Sequence, residues 1–260
     1  MYNYILISIL FISCSFTQEN KEVQQQSSTK NDIEVSAIED SIVEDSVNSR
    51  VAIEDPLSSL TNAEIQQNYY RLKKTAKAQR YTFYKKFKMD SSYIDTAKNY
   101  LFNQLVHSFF PSWNTTTWDF NGYSAIPRKG EIACGYFVST NLLHVGFNLN
   151  RYELAKKYSH DVAFIMSDTT KTYFDLDVLI EDVKKKEDNI YIIGLDNHVG
   201  YLIKEGSEVY FHHSAYSGEV HVKKEYADES SALASSTKYV VAELLSEFNI
   251  LNWLKSVKYI

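Results

Sequence analysis

A chain of 260 residues, 44% of them hydrophobic, is long enough to bury a sizeable core, and its 27 Lys or Arg against 33 Asp or Glu give a formal charge of −6. The acidity is concentrated in residues 17–60, which hold ten acidic and three basic side chains; residues 61–260 carry 24 basic and 23 acidic ones. A folded part that is nearly neutral has no electrostatic footprint for nucleic acid, and no His-Glu-x-x-His motif or Cys/His cluster calls for a metal or other cofactor.

Residues 1–13, MYNYILISILFIS, form an uncharged apolar run, too short for a bilayer span of roughly 20 residues. The expectation is a signal peptide. Small Ser13 ahead of Cys14 resembles the lipobox of bacterial lipoproteins, which implies that Cys14 is acylated, becomes the mature N-terminus and anchors the protein to a membrane of the cell envelope. Residues 14–60, acidic, rich in Ser, Gln and Asn and poor in aromatics, are expected to form a disordered tether.

Residues 61–111 predict a helical preface of two segments, 62–88 and 91–110. In the second, Ile94, Ala97, Leu101 and Leu105 recur at spacings of three to four, and Pro111 is the expected stop. Both helices are expected to brace the domain; the many Tyr and Lys of the first offer contact with a sugar polymer as an alternative.

From residue 112 to 260 the texture is that of one domain. Turn-rich sequence with Gly122, Pro127 and Gly130 gives way to IACGYFVSTNLLHVGF, a helix opening near Cys134 and closing at Gly146. Two further helical stretches follow, NRYELAKKYS and DLDVLIEDVKKKED, the latter with Asp175 or Asp177 as cap, and His160 falls in a polar loop between them. After Asp188 the period becomes that of strands: NIYIIGL, HVGYLI and EVYFHHS, with EGS as a hairpin turn, then VHVKKE and KYVVAELL. LSEFNILNWLKSV closes the chain as a helix with Trp253 on its buried side. The expected fold class is α+β, a helix bearing a thiol packed on an antiparallel sheet.

With Cys14 assigned to lipid, Cys134 is the one thiol of the expected domain and has no intramolecular disulfide partner. Such a thiol is either buried and inert or retained for its reactivity. Cys134 opens a helix, where a thiol pKa falls, and its small neighbours Ala133 and Gly135 are expected to let a substrate approach the backbone. Among seven histidines, His107 and His144 lie within helices, His160 in a loop and His221 in a charged strand. His198 opens an apolar strand, with Gly200 expected to keep the neighbouring face open, and is the candidate base. Alternation sends His212 and His213 to opposite faces of their strand, so one of them at most orients His198, and alternation leaves open which.

The stretch from Trp118 to Ser214, with the segments WDFNG, ACGYFV, GFNLNR, HVGYLI and FHHSA, resembles in order the motifs of the NlpC-type cell-wall cysteine endopeptidases of the papain-like superfamily. The resemblance covers roughly 100 residues. It implies a papain-like fold with Cys134 as nucleophile, His198 as base and, through the Phe211 frame, His213 as the third residue, with His212 as runner-up. Trp118, standing where the family has a tyrosine, and Gly135 are the implied oxyanion and substrate-binding positions; Ala133 replaces the family's aspartate. The 64 positions separating Cys134 from His198 exceed the compact members, the excess being a helical insertion over 160–188.

The implied function is that of a cysteine peptidase or amidase cleaving an amide bond in peptidoglycan stem peptides, without a metal. Alternatives are a non-catalytic lipoprotein that holds a glycan or peptide in the same groove, and an acyltransferase using the same residues.

Overall fold

The computed structural model describes residues 50–260. Cys14, the expected signal peptide and the expected tether as far as residue 49 lie outside the described residues.

Helix α1 (Asn62–Met89) begins with a reciprocal cap in which Thr61 Oγ1 accepts the Glu64 N–H and the Thr61 N–H donates to the Glu64 carboxylate. Helix α2 (Tyr93–Gln104) does not stop at Pro111 as its sequence suggests. A π-helical turn, Leu105–Phe109, carries it into α3 (Phe110–Trp113), so the proline sits inside the run. A proline ring collides with the carbonyl four residues back and lacks an N–H. The wider turn, in which the Phe110 N–H reaches Leu105 O, makes the room.

Helix α4 (Cys134–Val145) closes on Gly146 at φ 110°, as its sequence implies. Next come α5 (Arg151–Ala155), capped by Asn150, α6 (Ser159–Met166), β1 (Thr170–Tyr173) and α7 (Leu176–Lys184), capped by Asp175. His160 therefore belongs to the first turn of α6 and not to a loop, since Val162, Ala163 and Met166 bury that segment's apolar face and draw it into a helix. The strands β2 (Asn189–Gly194), β3 (Val199–Glu205), β4 (Glu208–Ser214), β5 (Val222–Tyr226) and β6 (Tyr239–Glu243) join β1 in one antiparallel sheet of order β1-β6-β2-β3-β4-β5. The β3–β4 hairpin turns at Gly206, φ 61°. Helices α8 (Ser231–Ala234) and α9 (Glu247–Lys255) complete the chain.

Both faces of the sheet are covered. On one, Ile190, Ile192, Tyr201 and Ile203 pack with residues of α1, α2, α4, α6 and α9, including Trp253, whose indole N–H donates to Val145 O. On the other, Tyr191, Ile193, Leu202 and Phe211 meet Leu179, Ile180 and Val183 of α7 and Leu233 of α8. Double coverage explains why β2 is buried at every position, as a strand between two helical layers must be. The helices of the expected preface contribute Tyr69, Ala76, Ala97 and Leu101 to the same core as α4. Residues 50–55 also lie against the body: Arg50 pairs with Asp228, and Asp55 with Arg128 at 2.6 Å. Among the described residues no helix is long and apolar enough to cross a membrane.

Candidate functional site

The site is built at one end of β3. Helix α4 packs across β3 and β4, with Tyr201 Oη donating to Val138 O and Phe137 lying against Tyr201 and His212, and this delivers its N-terminus to the start of β3. Helices α1, α5, α7 and α9 all carry side-chain caps, but Ala133 supplies none to α4. The first N–H groups of α4 thus stay available around Cys134 Sγ.

Cys134 is half-buried, and its sulfur is met by N–H groups of Val199, Gly135 and Cys134 itself. Burial pushes the thiol above its usual value, and those three N–H groups offset the rise only in part. This corrects the expectation of a thiol acidified by its position alone: desolvation outweighs the helix terminus. The reason for Gly135 also changes. A Cβ there would lie 2.4 Å from Ala155 O, so the glycine serves the close approach of α5 rather than that of a substrate.

His198 closes a tight turn, with the Leu195 N–H donating to His198 O, and lies just ahead of β3. Its Nε2 is 2.8 Å from His213 Nδ1. Of the two adjacent histidines, His213 is therefore the one beside His198. His212 points to the opposite face, between Phe110 and Phe137, with Nε2 3.0 Å from Asn114 Oδ1. Phe211 stacks on His213 at 4.2 Å between centroids and stands edge-on to His198. Gly200 makes this possible, because a Cβ would fall 2.5 Å from the Phe211 ring and 2.9 Å from His213 Cβ. The face next to Gly200 is thus filled by Phe211, where the sequence suggested an open one.

The ring of His198 is 2% exposed, and its Nδ1 is buried with no hydrogen-bond partner among the described residues. No hydrogen bond joins that nitrogen to the thiol in this closed arrangement, although Sγ meets the N–H of the very next residue. Burial above all, and then His213, hold the His198 imidazole well below its usual value, so it rests neutral. Burial likewise lowers His213, against the pull of Glu225.

Two residues that the sequence reading did not select complete the surroundings. Glu225 Oε1 lies 3.1 Å from His213 Nε2, and Lys223 Nζ holds the other carboxylate oxygen at 2.6 Å. Burial would raise this carboxyl, but hydrogen bonds from His213, Lys223 and Ser230 win and hold it down to about 2. Tyr216 covers His198 with ring centroids 5.1 Å apart and also approaches Trp118 at 6.2 Å. A narrow crevice of about 30 Å³, lined by Tyr216 and Ser236 among others, reaches His198 and is large enough to admit water. A cavity of about 390 Å³ lies elsewhere, between residues 50–55 and β5.

Trp118 sits on the loop that pairs with the segment leading into α4, and its Nε1 is buried without a hydrogen-bond partner among the described residues. An indole nitrogen is a donor only, so this buried N–H is an unfilled donor on the ring that neighbours Tyr216. The loop is fixed by Ala133 N–H donating to Gly122 O and by the Arg151 guanidinium donating to Tyr123 O. Arg151 also lies over the rings of Tyr136 and Tyr152, and Tyr123 and Tyr152 are exposed beside it. Among the described residues no group of three or more His, Cys, Asp or Glu is placed to hold a metal ion.

Cys134, His198 and His213 thus converge on one end of the sheet, Trp118 is linked to them through the ring of Tyr216, and Gly135 adjoins Cys134 as a packing residue. The chain matches no protein-family model, and neither a curated protein nor a solved structure is recognisably similar to it.

Proposed function

We propose that the protein is a cysteine hydrolase of papain-like architecture that cleaves an amide bond, with peptidoglycan stem peptides as its substrate class and a lipid anchor at Cys14 holding it in the cell envelope. The observation that carries this reading is the hydrogen bond of 2.8 Å from His198 to His213, with His198 Nδ1 left without a partner among the described residues beside the helix terminus that bears Cys134. A thiol, a base and an orienting group in that order form the arrangement needed for nucleophilic acyl transfer.

In the proposed reaction His198 Nδ1 takes the thiol proton as Sγ bonds to the amide carbonyl carbon. The carbonyl oxygen gains negative charge facing the Cys134 N–H and the Trp118 indole N–H. His198 then returns the proton to the leaving amine as the C–N bond breaks, and a thioester remains on Cys134. Water, deprotonated by His198, attacks the thioester and releases the carboxylate product and the thiol. Starting from a neutral thiol and a neutral imidazole is consistent with the burial of both groups.

The missing hydrogen bond between His198 Nδ1 and the thiol, among the described residues, favours a second reading, a lipoprotein that holds a glycan or peptide without cutting it. An acyltransferase would share the thioester and differ in its acceptor. Incubating the full chain with purified sacculi, followed by mass spectrometry of soluble fragments, separates them. Hydrolysis predicts new peptide termini with the wild type and none with Cys134→Ala; sedimentation with sacculi and no released fragments would support the binder and overturn the hydrolase.

A further inference from the structure

We propose that Glu225 is a positioning residue that sets the protonation order of both histidines and thereby makes His198 Nδ1 the accepting nitrogen. The inference rests on the reading of Cys134 and His198 as nucleophile and base, and it names a member of the site that the motif pattern does not contain.

A chain of hydrogen bonds runs inward from the carboxylate to His198. Glu225 Oε1 only accepts, so the His213 Nε2 that lies 3.1 Å away carries the proton and donates. A neutral His213 then has a lone pair on Nδ1. That atom lies 2.8 Å from His198 Nε2, so His198 Nε2 carries a proton and donates in turn. A neutral His198 is left with its lone pair on Nδ1, the buried atom that has no partner among the described residues. The orphaned nitrogen is therefore an acceptor, the form a general base requires. The Phe211 stack keeps the two nitrogens of His213 aimed at Glu225 and His198, and Lys223 keeps the second carboxylate oxygen turned away at 2.6 Å.

Glu225→Gln reverses the sequence. Lys223 only donates and therefore keeps the amide oxygen on its own side, which presents the amide NH₂ to His213 Nε2. His213 must then be protonated on Nδ1, it donates to His198 Nε2, and the His198 proton moves to Nδ1. The base nitrogen is blocked with every heavy atom in place. A wrong tautomer of this kind is expected to lower kcat about 10³–10⁴-fold with KM nearly unchanged.

The test is ¹⁵N NMR of the imidazole nitrogens in the full chain at neutral pH. The wild type is expected to show Nε2–H on both His198 and His213, and Glu225→Gln to show Nδ1–H on both. A proton on Nδ1 of either ring in the wild type overturns the proposal without recourse to any variant. So do unchanged tautomers in a folded Glu225→Gln protein. These spectra do not depend on turnover, so the expected tautomers in a protein that leaves sacculi uncut would overturn the hydrolase reading and leave the protonation order standing.

Discussion

Acidification from pH 7.5 to 5.5 should destabilise the folded chain by an amount that the buried histidines determine. His198 and His212 are 2% and 1% exposed, and burial keeps both far below the ordinary value of 6.5. His144, beneath Tyr69 Oη at 3.0 Å, is lowered to about 3, chiefly by burial. In each case the folded state refuses a proton that the unfolded state accepts below pH 6.5. Stability is therefore complete above that value and falls below it. One pH unit below 6.5 each of these three contributes a loss of about 1.4 kcal/mol, together about 4 kcal/mol, and His213, lowered by burial against the pull of Glu225, adds to it; the sum is a large part of the roughly 5–15 kcal/mol that stabilises a typical domain. His212→Gln, whose amide still donates to Asn114, removes one of these contributions and should make the loss smaller by about 1.4 kcal/mol. Urea unfolding followed by tryptophan fluorescence at both pH values measures the difference, since Trp113 and Trp253 are buried. Equal stability at the two pH values, or equal losses in the wild type and His212→Gln, would refute the reasoning. Outside this interval the signs follow from the remaining shifts. Below pH 4.5 the unfolded chain protonates Glu225 while the folded one keeps the carboxylate down to about 2, which adds to the continuing loss from the histidines. Above pH 9 the unfolded chain releases the Cys134 proton that the folded one retains, and stability falls there also.

Iodoacetamide should label Cys134 more slowly than a free peptide thiol at neutral pH, because burial raises its pKa; faster labelling would mean an already ionised thiol. Tyr216→Ala removes the ring over His198 and should speed that labelling several-fold with little change in unfolding midpoint, and an unchanged rate would show that Tyr216 does not control access. Gly200→Ala should cost about 1–3 kcal/mol as Phe211 and His213 are driven aside, and it should depress turnover through loss of the His198–His213 bond; full activity would show that the stack is dispensable. Trp118→Phe keeps an aromatic ring, though a smaller one, and deletes the donor, so kcat should fall about 10²–10³-fold if the indole N–H holds the oxyanion, and a kcat unaltered by the change would remove it from that role.

What the sequence disclosed of this site follows the reach of local signals. The apolar run from Cys134 to Gly146 and the strand texture around His198 and His213 depend on period and caps within one segment, and they fall where their residues imply. Strand β1 was missed because a four-residue edge strand with Lys171 and Thr172 exposed has almost no apolar pattern to display. Pro111 misled because the π turn that accommodates it leaves no mark in residue spacing. Glu225 looks like one more charge in VKKEY, and its role depends on the β4–β5 register. That register sets Phe211 opposite Glu225 and His213 opposite Lys223, so the carboxylate reaches His213 diagonally. Gly135 and Gly200 suggested open space, yet each is a glycine because another part of the chain already occupies the place of its side chain.

The most direct test of Cys134 as nucleophile with His198 as its base is acylation by an activated ester, read as intact protein mass and located by peptide mapping. The account predicts one acetyl group on Cys134 of the wild type after brief exposure to p-nitrophenyl acetate at neutral pH, with His198→Ala acquiring it far more slowly and Cys134→Ala not at all. Equal acetylation rates in the wild type and His198→Ala, or an acetyl group found on another residue while Cys134 stays free, would contradict it.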